Sequence, residues 1–272
     1  MSGVLYVVAT PIGNLEDITF RAVRVLKEVD RIACEDTRQT RKLLDHYGIT
    51  TPVISYHEHN EQSRSEELLR VLELGLNIAL VSDAGTPLVA DPGYRVVEKA
   101  RQRGVSVVPI PGPSAILALL SAAGLPTDRF AFLGFLPAKA SQRKKALSEG
   151  RELDMPLIFF ETPHRIEEAL RDIAEVFQGT PIVLARELTK VHEEFLRGTA
   201  GELGEMLRSR NVMRGEFTLM IGKPEPVVDR SVSLEEEVAE LVNGGVERMQ
   251  ALKEVARRRG LSKREVYRQL RG

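Results

Sequence analysis

The sequence predicts an α/β protein: two α/β domains with a cleft between them, and a small helical domain at the end. Short apolar runs alternate with helical patterns, and such alternation implies a mainly parallel sheet. The loops after these runs are rich in Gly, Pro and carboxylates, above all Ser82-Asp83-Ala84-Gly85-Thr86-Pro87-Leu88-Val89-Ala90-Asp91-Pro92-Gly93. Gly85 and Gly93 can take backbone angles closed to other residues, Pro87 and Pro92 stiffen the loop, and Asp83 sits where an open α/β sheet binds its ligands. Lys223-Pro224-Glu225-Pro226 reads as a linker to a basic helical tail. The expected domains are 1–113, 114–223 and 233–272, with the linker at 224–232.

Taken in order, residues 5–9, 31–34, 53–56, 78–81 and 105–110 read as strands of the first domain, each followed by a helix or loop-helix unit. Thr37 precedes a helix over 38–47 that Gly48 ends. Ser63 and Glu66 form a capping box ahead of Leu68, Leu69 and Leu72, with Gly75 closing that helix. After Pro111-Gly112-Pro113-Ser114 comes an apolar helix over 115–123, then an apolar run over 130–136 that turns at Leu136-Pro137. Strands at 157–160, 182–185 and 217–221, with helices at 163–177 and 201–208, make the second α/β domain. Three short helices follow the linker, over 234–242, 246–259 and 263–270. Gly260 separates the last two, and Ser262-Lys263-Arg264-Glu265 caps the third. This trihelical pattern resembles a helix-turn-helix, although ordinary helical hairpins share it.

Composition removes whole classes of function. No apolar run approaches the ~20 residues of a membrane span, and the N-terminus lacks a basic flank before an apolar signal core, so a cytoplasmic protein is expected. A single cysteine, Cys34, excludes an internal disulfide and any Cys-rich zinc site, and the five histidines show no His-x-x-x-His spacing. No metal is expected. The net charge of −1 hides an asymmetry: residues 244–272 hold nine Lys or Arg against three Glu. A basic tail on an acidic body points to a polyanionic partner, though a basic helix face is often only solvated. With 5% aromatic residues and no Trp, base stacking is not the main source of affinity for a nucleic acid.

The chemistry must lie in the strand-end loops. Thr10-Pro11-Ile12-Gly13-Asn14 is neither Gly-x-Gly-x-x-Gly nor a P-loop, and the chain has no Gly-x-Ser-x-Gly or His-Glu-x-x-His. Ordinary dinucleotide, nucleoside triphosphate, serine hydrolase and zinc peptidase sites are disfavoured. On a parallel sheet the loops would gather on one edge and form an interdomain cleft. Gly/Pro turns would suit a neutral or zwitterionic ligand there, with Arg38, Arg165, Arg186 and Lys190 suited to phosphate.

Val8-Ala9-Thr10-Pro11-Ile12-Gly13-Asn14-Leu15, Glu35-Asp36-Thr37-Arg38, Ser82 to Pro87, Pro111-Gly112-Pro113-Ser114-Ala115, Glu161-Thr162-Pro163-His164-Arg165 and Ala185-Arg186-Glu187-Leu188-Thr189-Lys190 resemble motifs of the tetrapyrrole-methylase fold family. Within it they are similar to the bacterial branch that 2'-O-methylates a cytidine ribose in the decoding region of 16S ribosomal RNA, whose C-terminal extension the basic tail also resembles. The resemblance implies two domains of the tetrapyrrole-methylase type with S-adenosyl-L-methionine folded between them. It places the cofactor on Asp83, Ala84, Gly85, Thr86 and Pro87, on Ser114 and Ala115, on Leu136 and Pro137, near Pro11, and on Thr162, Ala185 and Arg186. A homodimer is also implied.

Methyl transfer to a ribose hydroxyl needs a general base within hydrogen-bond reach. Lys190 with a lowered pKa, Glu187 and Glu161 are the candidates. Asp36 with Arg38 could instead orient the target phosphate or ribose. Arg38, Arg143, Lys144, Lys145, Arg165, Lys263 and Arg264 are the candidate RNA contacts, and recognition should rest on the shape of 16S rRNA within the small ribosomal subunit. Two other readings compete: a methyltransferase of the same fold acting on a tetrapyrrole or a protein, and a nucleic-acid-binding regulator whose α/β body senses a ligand.

Overall fold

The computed structural model describes residues 2–210, 214–223, 233–259 and 261–270. The chain divides into two compact units, Met1–Lys223 and Pro224–Gly272. The first holds β1 (Val4–Val8), α1 (Phe20–Glu28), β2 (Arg31–Cys34), α2 (Thr37–His46), β3 (Val53–Ser55), α3 (Glu61–Glu73), β4 (Ile78–Leu80), α4 (Tyr94–Gln102), β5 (Ser106–Ile110) and α5 (Ala115–Ala123). It continues with β6 (Ala131–Phe135), α6 (Ala140–Arg151), β7 (Leu157–Glu161), α7 (Ile166–Val176), β8 (Ile182–Arg186), β9 (Glu194–Gly198), α8 (Ala200–Arg210) and β10 (Phe217–Ile221).

The first five strands form a parallel sheet in the order β3-β2-β4-β1-β5. Helices cover both faces, which is why its strands are continuous apolar runs rather than alternating ones. Val8, Ile32 and Ala79 pack with Leu26 and Leu44 on one side. Leu5, Ala33 and Leu80 pack with Leu68, Leu69 and Val96 on the other. Successive residues of a strand thus feed two separate cores, as the two-residue period requires.

The second sheet departs from the expected parallel pattern. Its order is β6-β7-β10-β8-β9, and only β6 and β7 are parallel; β10 runs antiparallel to β7 and β8, and β9 to β8. The short connection between β8 and β9 allows only a hairpin, since a parallel partner needs a long crossover. Because β10 opposes both neighbours, β7 and β8 point the same way. The ends of β6, β7 and β8 therefore meet the starts of β9 and β10 on one edge. α5 buries Ile116, Leu119 and Ala123 against Ile158, Val183 and Met220 of this sheet.

Two helix starts differ from the sequence expectation. Asp36, not Thr37, caps α2, accepting from the Arg38 backbone N–H at 2.8 Å. α3 begins at Glu61, so Ser63 lies inside it and donates to the Asn60 carbonyl, while Glu66 pairs with Lys99 and Arg103. Glu66 thus ties α3 to Lys99 of α4 and to Arg103 at the end of that helix.

The second unit contains α9 (Leu234–Asn243), α10 (Arg248–Arg258) and α11 (Lys263–Gln269). Leu234, Val238, Leu252, Val255 and Val266 make its core, and Ser262 with Glu265 forms the expected capping box. The linker at 224–232 and the break at Gly260 lie outside the described residues. So do the side chains of Lys263 and Arg264. Among the described residues, no helix is long and apolar enough to cross a membrane, and no group of three or more His, Cys, Asp or Glu could hold a metal ion.

Candidate active site

β1 and β4 are neighbours, yet the chain leaves β1 towards β2 and leaves β4 towards β5 on the opposite side. A crevice opens at such a reversal, beyond the carboxyl ends of the strands. Thr10 and Gly85 bridge it with reciprocal backbone hydrogen bonds of 2.9 Å, and Thr10 Oγ1 donates to the Ser82 carbonyl at 3.1 Å. Across from these loops stand the end of β7 and the start of β10. The two walls enclose a cavity of about 360 Å³, a size typical of small-molecule sites.

Asp83, Ala84, Gly85, Thr86, Ser114, Ala115 and Thr162 line this cavity, as does Glu161. Pro11, Pro87, Leu136, Pro137, Ala185 and Arg186 are outside its lining. Ala185 is wholly buried in the second sheet and Leu136 nearly so. Ile12, Ile116, Phe135 and Phe160 supply apolar wall, none of them among the expected cofactor contacts. Glu216, Phe217 and Thr218 were hidden for another reason: a parallel β10 would begin on the far edge, and its reversed direction brings its start to the cavity.

Backbone strain concentrates in the loops around this edge. Five described non-glycine residues have positive φ: Leu88, Ala90, Asp154, Glu187 and Thr189. Four of them lie in the loops after β4 and β8. Such conformations cost of order 1–3 kcal/mol each and persist where surrounding contacts over-determine them. The loop after β8 is locked to the loop after β1: Asn14 N–H donates to Thr189 Oγ1 at 3.0 Å. A Cβ on Gly13 would lie 2.5 Å from Lys190 Cγ and 2.9 Å from the Leu188 carbonyl.

The lining carries four carboxylates, Asp83, Asp91, Glu161 and Glu216, and no Lys, Arg or His. Burial, the neighbouring Glu35 charge and that of Asp83 raise the Asp91 pKa to about 6, against a hydrogen bond from Ser82. Burial also raises Glu161, partly offset by the Thr162 N–H, which donates to Oε2 at 2.9 Å, and by the Arg165 and Arg143 charges. Glu161 Oε1 is buried without a hydrogen bond. Glu35 is raised for the same first reason, desolvation, and then by Asp83.

The cations expected in the cleft are engaged elsewhere. Lys190 Nζ donates to Glu187 Oε1 at 2.9 Å and to Glu216 Oε2 at 3.1 Å. Burial alone would lower its pKa, but these carboxylates outweigh burial and the pKa is raised. The expected lowered Lys190 is thereby corrected, because an ammonium held by two carboxylates has no lone pair to offer. Glu187 is lowered: burial works upward and is overcome by Lys190 and the Glu216 N–H. Arg186 pairs with Glu194 at 3.4 Å and donates to the Arg214 and His192 carbonyls.

Two expected RNA contacts are structural braces instead. Arg143 is 2% exposed; it donates to Asp172 at 2.6 Å and to the Pro137 and Ala138 carbonyls at 3.3 and 3.0 Å. Arg165 donates to the Leu136 carbonyl and sits 3.2 Å from Glu161 Oε1. Both arginines thus clamp the Leu136-Pro137 turn. Lys144 is tied to Glu175 at 2.6 Å, whereas Lys145 meets only Glu149, at 3.8 Å, and is largely exposed. Arg38 is exposed and paired with Asp36 at 2.9 Å; its hydrogen bonds hold the Asp36 pKa down to about 2.

Residues 4–204 match the family described as Tetrapyrrole (Corrin/Porphyrin) Methylases. The chain is 47% identical over 271 residues to the ribosomal RNA small subunit methyltransferase I of Halalkalibacterium halodurans, covering 97% of this chain and 93% of that one. It is 48% identical over 273 residues to the protein of the same name from Micromonospora olivasterospora, covering 99% and 87%. Among solved structures, uroporphyrin-III C-methyl transferase from Thermus thermophilus complexed with S-adenyl homocysteine aligns with a TM-score of 0.57 at 20% identity, over 81% of this chain and 98% of that chain. The fold, the sheet-edge cavity and these similarities agree, and the chain belongs to the tetrapyrrole methylase family.

Proposed function

We propose that this protein is an S-adenosyl-L-methionine-dependent methyltransferase that modifies a cytidine ribose 2'-oxygen in the decoding region of 16S ribosomal RNA. The observation that carries the cofactor assignment is the cavity itself: four carboxylates and no cation suit a ligand with a sulfonium and an ammonium group, and repel nucleotides that carry phosphate. Ile12, Val89, Ile116, Phe135 and Phe160 give the apolar wall an adenine ring needs. Glu161 Oε1, ion-paired with Arg165 at 3.2 Å but accepting no hydrogen bond, keeps a lone pair for a ligand donor group. When bound, the cofactor supplies an electrophilic methyl group. The chain's own part is to hold the ribose hydroxyl in line with it, and such positioning provides most of the acceleration.

RNA phosphate must be met outside this acidic cavity. Arg38 and Lys145 stand exposed for it, and the basic tail adds a charge of the right sign. Lys190, fixed between Glu187 and Glu216, acts as a cation that orients the Glu216 wall. The substrate is the assembled small subunit in the cytoplasm, acted on by a homodimer. The relatives' names support the RNA substrate class.

The test offers methyl-labelled S-adenosylmethionine with small subunits lacking decoding-centre methylation, beside a short naked hairpin of the same sequence. Label on one ribose of the subunit, and little on the hairpin, is the expected result. Cofactor binding by calorimetry without any label on RNA would redirect the substrate to a tetrapyrrole or protein. Tight duplex DNA binding without methyl transfer would favour a regulator. Light scattering tests the dimer.

A further inference from the structure

We propose that Asp91 is the catalytic base that takes the proton of the acceptor hydroxyl; the assignment rests on the ribose-methylation reading above. Four carboxylates line the cavity, and three are committed. Asp83 Oδ1 accepts the Asp36 N–H at 3.0 Å. Glu161 holds the Thr162 N–H and faces Arg165, and Glu216 holds Lys190 at 3.1 Å. Asp91 forms no ion pair with any described cation, and the charges bearing on it are Glu35 from the loop after β2 and Asp83 from its own loop, with the Ser82 hydroxyl beside it.

Its backbone is fixed with unusual care. Leu88 and Ala90 have φ of 72° and 64°, and Gly93 one of 139°. A Cβ at Gly93 would sit 2.9 Å from both Leu80 Cδ2 and Leu88 Cδ1, so the chain there is pressed against the core. Glu61 Oε1 accepts from the Gly93 N–H at 3.2 Å and the Arg95 N–H at 3.3 Å. Strain of this kind is kept where a group must be held in one place. A pKa of about 6 suits the role, because a base titrating close to the working pH is free to accept and still basic enough to do so. In the step, the 2'-O–H proton passes to an Asp91 oxygen as the ribose oxygen bonds to the methyl carbon. The carbon–sulfur bond breaks with its electron pair going to sulfur, which leaves neutral.

The test compares wild type, Asp91→Asn and Asp91→Glu on undermethylated small subunits, with S-adenosylhomocysteine binding measured on each by calorimetry. A carboxyl carbon-13 titration of the ligand-free protein provides a readout independent of turnover. Asp91→Asn should lower kcat/KM by ~10²–10⁴-fold, remove the inflection near pH 6, and weaken S-adenosylhomocysteine binding far less than it slows turnover, because three carboxylates remain in the wall. Asp91→Glu should restore part of the rate and the inflection. The signal lost in Asp91→Asn should titrate near pH 6. The assignment fails if Asp91→Asn methylates ribose as wild type does, or if it loses S-adenosylhomocysteine affinity in proportion to rate. If wild type itself labels no ribose, the functional reading fails first and takes the base assignment with it.

Discussion

Replacing Arg143 by alanine should damage stability without touching RNA affinity directly. The guanidinium is 2% exposed and its partner Asp172 is 4% exposed, joined at 2.6 Å. Removing one member of a buried pair leaves the other charged and unpaired, at a cost of about 3–5 kcal/mol. Two carbonyls, of Pro137 and Ala138, also lose a donor. Lys144 Nζ, 3.6 Å from Asp172 Oδ1, recovers some of this, so a loss of about 3 kcal/mol is expected. Urea unfolding monitored by circular dichroism measures it, provided the m-value stays constant. Replacing both residues by apolar ones, Arg143→Met with Asp172→Leu, should regain most of the loss. A loss under about 1 kcal/mol, the range of an exposed pair, with weakened RNA binding, would refute the reasoning and return Arg143 to the RNA surface.

Four further expectations are open to measurement. Gly13→Ala should cost about 1–3 kcal/mol in urea unfolding, because its Cβ meets the Lys190 stem at 2.5 Å and overpacking of that order is expensive; an unchanged midpoint would mean the two loops are not locked. Lys190→Gln should lower kcat yet leave the pH–rate inflection near 6 in place, since the raised lysine does not titrate there. Asp91→Asn should be more thermostable than wild type at pH 7 and equal to it at pH 4. The sign follows from linkage: the folded carboxyl, at about 6, binds its proton more tightly than the unfolded one, so its contribution is present at low pH and lost as pH rises through 6. Lys263→Ala with Arg264→Ala should reduce the slope of log RNA affinity against log salt by ~1–2, at ~0.7–0.9 per lost phosphate contact.

The first sheet was legible because one physical signal dominates it. Its central strands are buried on both faces, so 32–34 and 78–81 read as unbroken apolar runs, and the observed strands end within a residue of the expected limits. β9 was missed since Glu194, Arg197 and Gly198 dilute its two apolar residues; pairing with β8 makes it a strand. That omission also hid the antiparallel half of the second sheet, and with it the place of Glu216. Loop composition marked Asp83 to Thr86 correctly as cavity wall. It misjudged the arginines, because charge type says nothing of whether an acidic partner such as Asp172 waits on a neighbouring helix.

That misjudgement bears on how the protein handles two substrates of opposite charge. A cleft lined by free cations would have drawn the RNA backbone into the cofactor's place. Instead the cations of the second sheet's edge are neutralised one by one: Arg143 by Asp172, Arg165 by Glu161, Arg186 by Glu194, and Lys190 by Glu187 and Glu216. Asp83 and Asp91, the wall carboxylates left outside these ion pairs, favour a cation and disfavour phosphate. On the proposed function, an RNA chain drawn to exposed cations such as Lys145 and Arg38 would meet a repulsive field at the cavity. Only a ribose hydroxyl, which carries no charge, can enter without an electrostatic penalty. Adding a cation to the wall, as in Thr162→Lys, should then weaken S-adenosylhomocysteine binding while tightening that of free phosphate esters. Calorimetry with both ligands decides it, and unchanged preference would show that shape alone selects the cofactor.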